Sequence, residues 1–341
     1  MTNLYPLKFE PVLKERVWGG QKLRDNYGKN IPGDKKIGES WEISGIQGDI
    51  SVISNGFLAG NNLEEIVEVY MGDLVGEEIF QQFGIEFPLL IKLIDAGDDL
   101  SIQVHPNDEL AKKRHHAYGK TEMWYVLEAE KDSKIYTGFN REMDRESYLK
   151  SLEEGNINKN LNTEEAAPGD VFYIPPGRIH AIGKGIVLAE IQQTSDITYR
   201  IWDWGRKGLD DKPRELHTEL SVDAIDYKLY DNYKTSAEPV LNSSSNIMKS
   251  KYFTCNIIEL DKAISIDYSL NDSFVIYICT EGSAQLKWED GETLLKKGET
   301  ILVPAIMEKF DIVPANMARL LEVYLPENKT NEKSKTFINE N

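Results

Sequence analysis

Proline and glycine interrupt this chain at short intervals, and the runs between them are rich in β-branched and aromatic residues. Such runs are typical of β-strands bounded by turns. The clearest predicted strands are Phe87–Ala96, Ser101–His105, Met123–Glu128, Val171–Pro175, Val187–Gln192, Phe274–Cys279, Ala284–Trp288 and Leu320–Tyr324. The pattern therefore predicts a mainly β protein.

Two stretches break this rhythm with apolar residues at helical spacing. Asn62–Phe83 begins with asparagine, a residue favoured at helix N-caps. Asp144–Gly155 repeats the pattern more weakly and ends at glycine, which often terminates a helix. Both are predicted helical insertions in a β framework.

A faint internal repeat joins the two halves of the chain. Gly169–Pro175 and Gly298–Pro304 each combine a glycine, an acidic residue, an apolar strand and a proline. Proline ends such a strand because it has no N–H for the ladder. The copies then diverge, since His180 follows the first and Lys309 stands at the corresponding place in the second. Any metal site is thus predicted in the first copy alone.

Charge and composition exclude several classes of protein. The 341 residues carry a formal net charge of −18, which argues against nucleic acid or an anionic membrane surface as the main partner. No apolar run approaches the roughly 18 residues of a membrane span, and the N-terminus lacks a secretion signal. Two cysteines are too few for a disulfide framework. We expect a soluble, cytoplasmic protein.

The length predicts about two domains. The best linker candidate is Ala237–Ser250, which contains a proline and three consecutive serines. We therefore predict one domain over residues 1–240, a second over 241–326, and a disordered polar tail over 327–341.

Three residues that are far apart in the sequence, His105, Glu122 and His180, suggest a metal site. Strand alternation places Ser101, Gln103 and His105 on one face of their strand and Ile102 and Val104 on the other. Glu122 and His180 are the further candidates. Two imidazoles and a carboxylate suit a divalent ion such as zinc, manganese, iron(II), cobalt or nickel. The residues alone do not choose among these metals.

Several motifs in the same order resemble one family. Residues Gly169–His180 fit the second cupin motif, G-x5-P-x-G-x2-H, at every fixed position. The remaining similar segments are LSIQVHP at Leu100–Pro106, GKTEMWYV at Gly119–Val126, SDITYR at Ser195–Arg200, WGG at Trp18–Gly20 and GESWEIS at Gly38–Ser44. Together they resemble the short bacterial mannose-6-phosphate isomerases of type I, which belong to the cupin superfamily. The similarity extends from about Pro6 to Pro326.

This resemblance implies two cupin-type jelly-roll barrels with helical insertions, a catalytic one in residues 1–240 and a degenerate one in 241–326. It implies one Zn²⁺ per chain, held by His105, Glu122 and His180, with Gln103 as a further ligand. The implied reaction is the aldose–ketose isomerisation of mannose 6-phosphate and fructose 6-phosphate through a cis-enediol.

The resemblance also implies an active-site role for Arg200 and places Lys120 and Ser101 in the substrate pocket. Alternation puts Thr198, Arg200 and Trp202 on one strand face. A sugar phosphate needs local cations in so acidic a protein; the candidates are Lys92, Lys120, Arg200, Arg206 and Lys207. The general base is either Glu190 or Lys120.

The sequence leaves two other functions open: an iron(II) cupin oxygenase, and a sugar-binding protein without catalysis. The oligomeric state, monomer or homodimer, is also open. The remaining histidines, His115, His116 and His217, lie in polar segments and receive no predicted role.

Overall fold

The structure is a computed structural model that describes residues 4–235 and 238–326. The predicted tail and Ala237, the first residue of the predicted linker, lie outside these residues. The fold is 41 % strand and 17 % helix, which confirms the mainly β class. None of the helices in the described parts is long and apolar enough to span a membrane.

Two antiparallel sheets form the first part of the chain. Its strands are β1 (Phe9–Glu10), β2 (Val12–Gly20), β3 (Ile37–Ile43), β4 (Val52–Ile53), β5 (Leu89–Asp95), β6 (Ile102–Val104), β7 (Glu122–Ala129), β8 (Lys134–Phe139), β9 (Leu161–Glu165), β10 (Val171–Ile174), β11 (His180–Ile182), β12 (Ile186–Gln193), β13 (Tyr199–Trp202) and β14 (Lys234–Thr235). The larger sheet has the order β14-β10-β7-β12-β5-β3-β2 and the smaller one β13-β6-β11-β8-β9. β1 and β4 pair separately.

The larger sheet is buried on both faces, as the sequence of β7 illustrates. Trp124 and Val126 point toward the smaller sheet and pack in one cluster with Ile135 and Ile182 of β8 and β11. Tyr125, between them, joins the cluster on the opposite face. Because side chains alternate along a strand, a polar residue at an inward position of β7 must lie between the two sheets.

Short helices connect the strands of this part: α1 (Lys22–Tyr27), α2 (Leu63–Tyr70), α3 (Gly72–Val75), α4 (Glu77–Phe83), α5 (Asp108–His115), α6 (Arg145–Glu153), α7 (Thr218–Ala224) and a 3-10 helix at Ile157–Asn160. The predicted helical stretch Asn62–Phe83 is divided into three. Asn62 and Glu65 form a reciprocal capping box at its start. Gly76, with φ of 101°, interrupts it where a Cβ would meet the carbonyl oxygen of Asp272.

The second part is one further antiparallel sheet of β15 (Ser244–Lys249), β16 (Thr254–Leu260), β17 (Ile264–Asp267), β18 (Val275–Trp288), β19 (Gly291–Lys296), β20 (Thr300–Val303) and β21 (Lys309–Tyr324). Two sequence predictions are corrected here. The predicted strands Phe274–Cys279 and Ala284–Trp288 form, from Val275 onward, a single long strand, β18. The predicted linker Ala237–Ser250 contains β15, because its serine-rich backbone pairs with β16 from Ser244 onward.

The internal repeat has a common backbone basis. Gly169 and Gly298 have φ of 93° and 83°, a region that side chains disfavour, and each precedes a strand that is buried at most or all of its positions, β10 and β20. Lys309, at the place of His180, is exposed and pairs with Asp267 at 3.3 Å. The second copy therefore has a cation at the surface where the first has a buried imidazole.

The two parts share one apolar core. The outer face of the larger sheet packs against β16, β18 and β21 in a continuous cluster. Phe87 and Phe274 are in contact across it, with ring centroids 4.7 Å apart, and Leu7 exchanges backbone hydrogen bonds with Leu302. The division near residue 240 stays a prediction about chain organisation.

Candidate active site

The structure brings three of the predicted residues together between the two sheets. Glu122 begins β7, His180 begins β11, and His105 directly follows β6. One ligand atom from each lies within 4.8 Å of the others. Glu122 Oε1 is 3.2 Å from His105 Nε2, and Glu122 Oε2 is 3.7 Å from His180 Nε2.

Backbone carbonyls orient both imidazoles. The Nδ1 atoms of His105 and His180 lie 2.8 Å from the carbonyl oxygens of Ile197 and Arg178. A carbonyl can only accept, so each Nδ1 carries the proton and each Nε2 has a free lone pair. This is the arrangement that metal-binding histidines usually have.

The atoms that face one another lack hydrogen bonds. Both Nε2 atoms and both Glu122 oxygens are buried, and within the described residues none has a partner of hydrogen-bond geometry. Such groups are costly to bury unsatisfied, and a divalent ion would satisfy all of them. The donor set of this site therefore fits a metal.

The protonation states agree with that fit. Burial, followed by the charge of Lys120, lowers the pKa of His105 to about 4, and burial lowers the pKa of His180. Burial alone would raise the pKa of Glu122, but Lys120 and His105 outweigh it and hold that pKa well below the usual range. At neutral pH the site offers neutral imidazoles and a carboxylate, the forms that bind metals.

Gln103 and Arg200 continue the row that contains His180. In the smaller sheet, His180 is paired with Gln103, and Gln103 is paired with Arg200. Directly opposed side chains on one face are about 5 Å apart at Cβ. Gln103 is thus placed beside His180 of the three-residue group.

A cavity of about 620 Å³ opens beside this group. Six of the candidate site residues line it: Lys92, Ser101, Gln103, Lys120, Glu190 and Arg200. The three candidate ligands are almost completely buried, but Lys120, with Nζ 3.1 Å from Glu122 Oε1, connects them to the cavity wall. A small molecule in the cavity would therefore reach the neighbours of the candidate metal site.

Glu190 belongs to a second row, in the larger sheet, where it is paired with Trp124 on one side and Lys92 on the other. Its carboxylate accepts hydrogen bonds from Lys92 Nζ and Trp124 Nε1, both at 2.8 Å. Burial would lower the pKa of Lys92, but Glu190 and Glu39 raise it. The buried Glu190 is thus a fixed carboxylate at the cavity wall.

Some predicted residues lie elsewhere. A register shift between Arg200 and Trp202 turns Trp202 toward the apolar cluster behind the smaller sheet, so the predicted shared face is wrong for that residue. Arg206 and Lys207 are not among the cavity residues; Arg206 binds Asp203 at 2.9 Å, and the exposed Lys207 lies 3.8 Å from Asp211. They stand in a polar turn, where alternation predicts nothing.

Sequence reasoning missed other residues of the site. Arg16, Glu39 and Arg214 line the cavity, and His217 Nδ1 accepts the backbone N–H of Arg200 at 3.1 Å. Their positions in the sequence could have indicated them. Arg16 directly precedes the VWGG segment, and Arg214 and His217 lie in one segment after β13.

Comparison with known proteins agrees with this geometry. The family model described as "Phosphomannose isomerase type I, catalytic domain" matches residues 6–149, and "Mannose-6-phosphate isomerase, cupin domain" matches 243–324. The chain is 35 % identical to the mannose-6-phosphate isomerase ManA of Bacillus subtilis, over 90 % of this chain and 95 % of that one. It is 31 % identical to the mannose-6-phosphate isomerase of Streptococcus mutans, over 88 % and 92 %.

A solved structure is similar throughout. The crystal structure of the Bacillus subtilis mannose 6-phosphate isomerase superposes with a TM-score of 0.84 and 33 % identity, covering 94 % of this chain and 99 % of that chain. Sequence, fold and the buried His–Glu–His group thus lead to one assignment. The chain belongs to the type I phosphomannose isomerase family.

Proposed function

We propose that this protein interconverts mannose 6-phosphate and fructose 6-phosphate through a cis-enediol, with one Zn²⁺ bound by His105, Glu122, His180 and Gln103. The observation that carries the proposal is the group of buried, unsatisfied donor atoms beside a cavity with basic residues in its wall. The names of the similar isomerases support the substrate.

We assign the fold of residues 1–240 to a catalytic cupin barrel and that of 241–326 to a degenerate one. The two facing sheets and the glycine-proline repeat support this assignment. The exposed Lys309 explains why the second unit would have no catalytic metal.

We assign a separate role in the reaction to each of several side chains. A bound divalent ion would supply Lewis-acid polarisation of a sugar oxygen. Arg200 stabilises the negative charge that develops on O1 and O2 of the enediol, and Ser101 and Lys120 bind the open sugar. A base removes the C2 proton and returns it at C1.

Glu190 and Lys120 are the two candidates for that base, and both line the cavity. Exchange of the C2 proton with solvent separates them. Measured in D₂O on zinc-loaded protein, deuterium incorporation should be lost when the true base is replaced, as Glu190→Gln or Lys120→Met, and should persist in the other variant.

The direct test is a coupled assay of fructose 6-phosphate formed from mannose 6-phosphate, before chelation, after it, and with zinc restored. Turnover that is lost on chelation and recovered with zinc supports both reaction and metal. A folded, zinc-loaded protein without turnover would contradict the proposed isomerase activity. The next measurements would then be oxygen uptake, for an oxygenase, and sugar binding, for a protein without catalysis.

The ligand assignment has its own test. His180→Ala should lose zinc, measured as metal per chain, because it removes one of two imidazole donors. His116→Asn is the matched control, since His116 is exposed with φ of 54° and asparagine tolerates that conformation. Full zinc occupancy in His180→Ala would defeat the assignment.

A further inference from the structure

The cations of the cavity differ in how completely they are neutralised. Arg16 and Lys92 each have a carboxylate of their own, Glu39 at 2.9 Å and Glu190 at 2.8 Å. Lys14 is paired with Asp49 in the same way. Lys120 lies at the end of the cavity next to the candidate metal site, 3.1 Å from Glu122. The three paired cations, Lys14, Arg16 and Lys92, therefore have little charge left for an anionic ligand.

Arg200 and Arg214 are different. In the part of the chain that the structure describes, no carboxylate lies within 4.0 Å of the Arg200 guanidinium; its Nη1 donates to the carbonyl oxygen of Glu215 at 2.8 Å. Its buried Nε has no hydrogen-bond partner among the same residues. Arg214 lies 3.3 Å from Asp203, but Arg206 holds the same oxygen at 2.9 Å.

Positive charge is thus in excess on one wall of the cavity. Arg206 also reaches Asp98 at 3.7 Å, outside the cavity. Within residues 4–235 and 238–326, the one carboxylate that Arg214 reaches is the shared Asp203. Burial and the nearby Arg200 lower the pKa of Arg214 to about 10, which leaves it charged at neutral pH. Three further acidic residues line the cavity, Glu15, Asp196 and Asp210; all three are exposed, so water screens their charge.

The position of Arg214 suits a group at the far end of the substrate. Arg200 neighbours Gln103 in the sheet, so it adjoins the candidate metal site, where C1 and C2 would react. Arg214 lines the same cavity and lies near enough to Arg200 for their charges to interact, and it comes from a segment after β13. The phosphate of a hexose 6-phosphate is at the opposite end of the six-carbon chain from C1.

We propose that Arg214 binds the phosphate group of the substrate and so makes the site selective for phosphorylated sugars; this inference rests on the proposed isomerase function. A guanidinium offers a planar pair of N–H donors that matches two phosphate oxygens. Asp203 holds the Arg214 side chain in place, and the unshared charge of the wall attracts the dianion.

Steady-state kinetics with mannose 6-phosphate test the proposal. Charge-assisted hydrogen bonds contribute about 1.5–3 kcal/mol, so Arg214→Gln should raise KM roughly 10- to 100-fold with kcat nearly unchanged. Arg214→Lys, which keeps the charge but loses the paired donors, should be intermediate. Lys207→Gln removes the same charge from an exposed site in the same segment and should match the wild type.

Binding of inorganic phosphate, measured calorimetrically on the zinc-loaded protein, separates this inference from the proposed function because it needs no turnover. The wild type and Lys207→Gln should bind phosphate with equal affinity, and Arg214→Gln at least about 10-fold more weakly. If phosphate binding depends on Arg214 but the protein has no isomerase activity, the inference about Arg214 stands and the proposed isomerase function is wrong. Equal affinity in Arg214→Gln, or no binding by the wild type, would overturn the inference.

Discussion

Arg200 and His180 stand in one cross-strand row, but their chemistry differs. An imidazole with a free Nε2 can bind a metal, whereas a guanidinium has only donors and cannot. Gln103 is paired with both residues and therefore lies between the metal-binding candidate and the guanidinium in this row of three side chains.

From this difference we expect Arg200→Ala to lower kcat by about 10²- to 10³-fold, as for loss of an oxyanion-stabilising donor, with zinc per chain unchanged. Rate and metal content are measured on the same preparation. Loss of zinc from Arg200→Ala would show that the residue supports the metal site instead.

Glu39 is a residue whose effect depends on pH. Its side chain is 13 % exposed and binds Arg16. Burial would raise its pKa, but Lys92 and Arg16 lower that pKa to about 2. Because the folded-state pKa is below the unfolded value, the stabilisation is complete above about pH 4.5 and is lost as pH falls toward 2.

Glu39→Gln should therefore reduce the free energy of unfolding by about 3 kcal/mol at pH 7, and by roughly 1.4 kcal/mol at pH 3, one unit above the folded-state pKa. Urea denaturation at both pH values measures the difference. Glu15→Gln, which changes an exposed residue of the same cavity, is the control and should stay within about 0.5 kcal/mol of the wild type. A deficit that stays constant with pH would contradict the electrostatic explanation.

At the scale of elements, helix α5 connects the second part of the chain to the loop before Glu122. The Asp108 carboxylate accepts hydrogen bonds from Gly119 N and Gln193 Nε2, both at 3.0 Å, and from the hydroxyl of Tyr252. Gln193 in turn accepts the N–H of Thr121 at 2.9 Å. Asp108 thus holds the residues that position a candidate ligand.

Asp108→Ala should weaken zinc binding by about 10-fold or more, the usual effect of removing the support of a ligand. Competition with a chromophoric chelator measures the affinity. Glu109→Ala, at the exposed next position of the same helix, is the control and should bind zinc like the wild type. Equal zinc affinities in the two variants would show that α5 does not support the candidate metal site.

At the scale of the whole molecule, the larger sheet is the shared wall of the two parts. One of its faces meets the smaller sheet around the candidate site, and the other packs on β16, β18 and β21. Since the core is continuous, we expect the parts to unfold together.

Phe274→Ala removes a fully buried ring from that shared core and should cost about 3–5 kcal/mol of unfolding free energy. Unfolding in urea should remain one transition, with zinc released in the same range. Leu270→Ala, 92 % exposed and four residues away, should be within about 0.5 kcal/mol of the wild type. Two separate transitions would contradict a shared core.

Local patterns in the sequence determined much of this protein. Strand alternation predicted that Ile102 and Val104 face away from Gln103, and both are fully buried in the cluster behind the smaller sheet. The glycine and proline positions predicted the strand ends of the repeat. The spaced motifs singled out His105, Glu122 and His180, which the structure brings together.

Tertiary structure alone decided the wall of the cavity. Arg16 and Arg214 are nearly 200 positions apart and meet at one site only after the sheets have formed. The register shift after Arg200 and the pairing of β15 with β16 likewise depend on neighbouring strands. The physical reason is range: backbone geometry dictates which side of its own strand a residue faces, whereas pairing between distant segments dictates what that side faces.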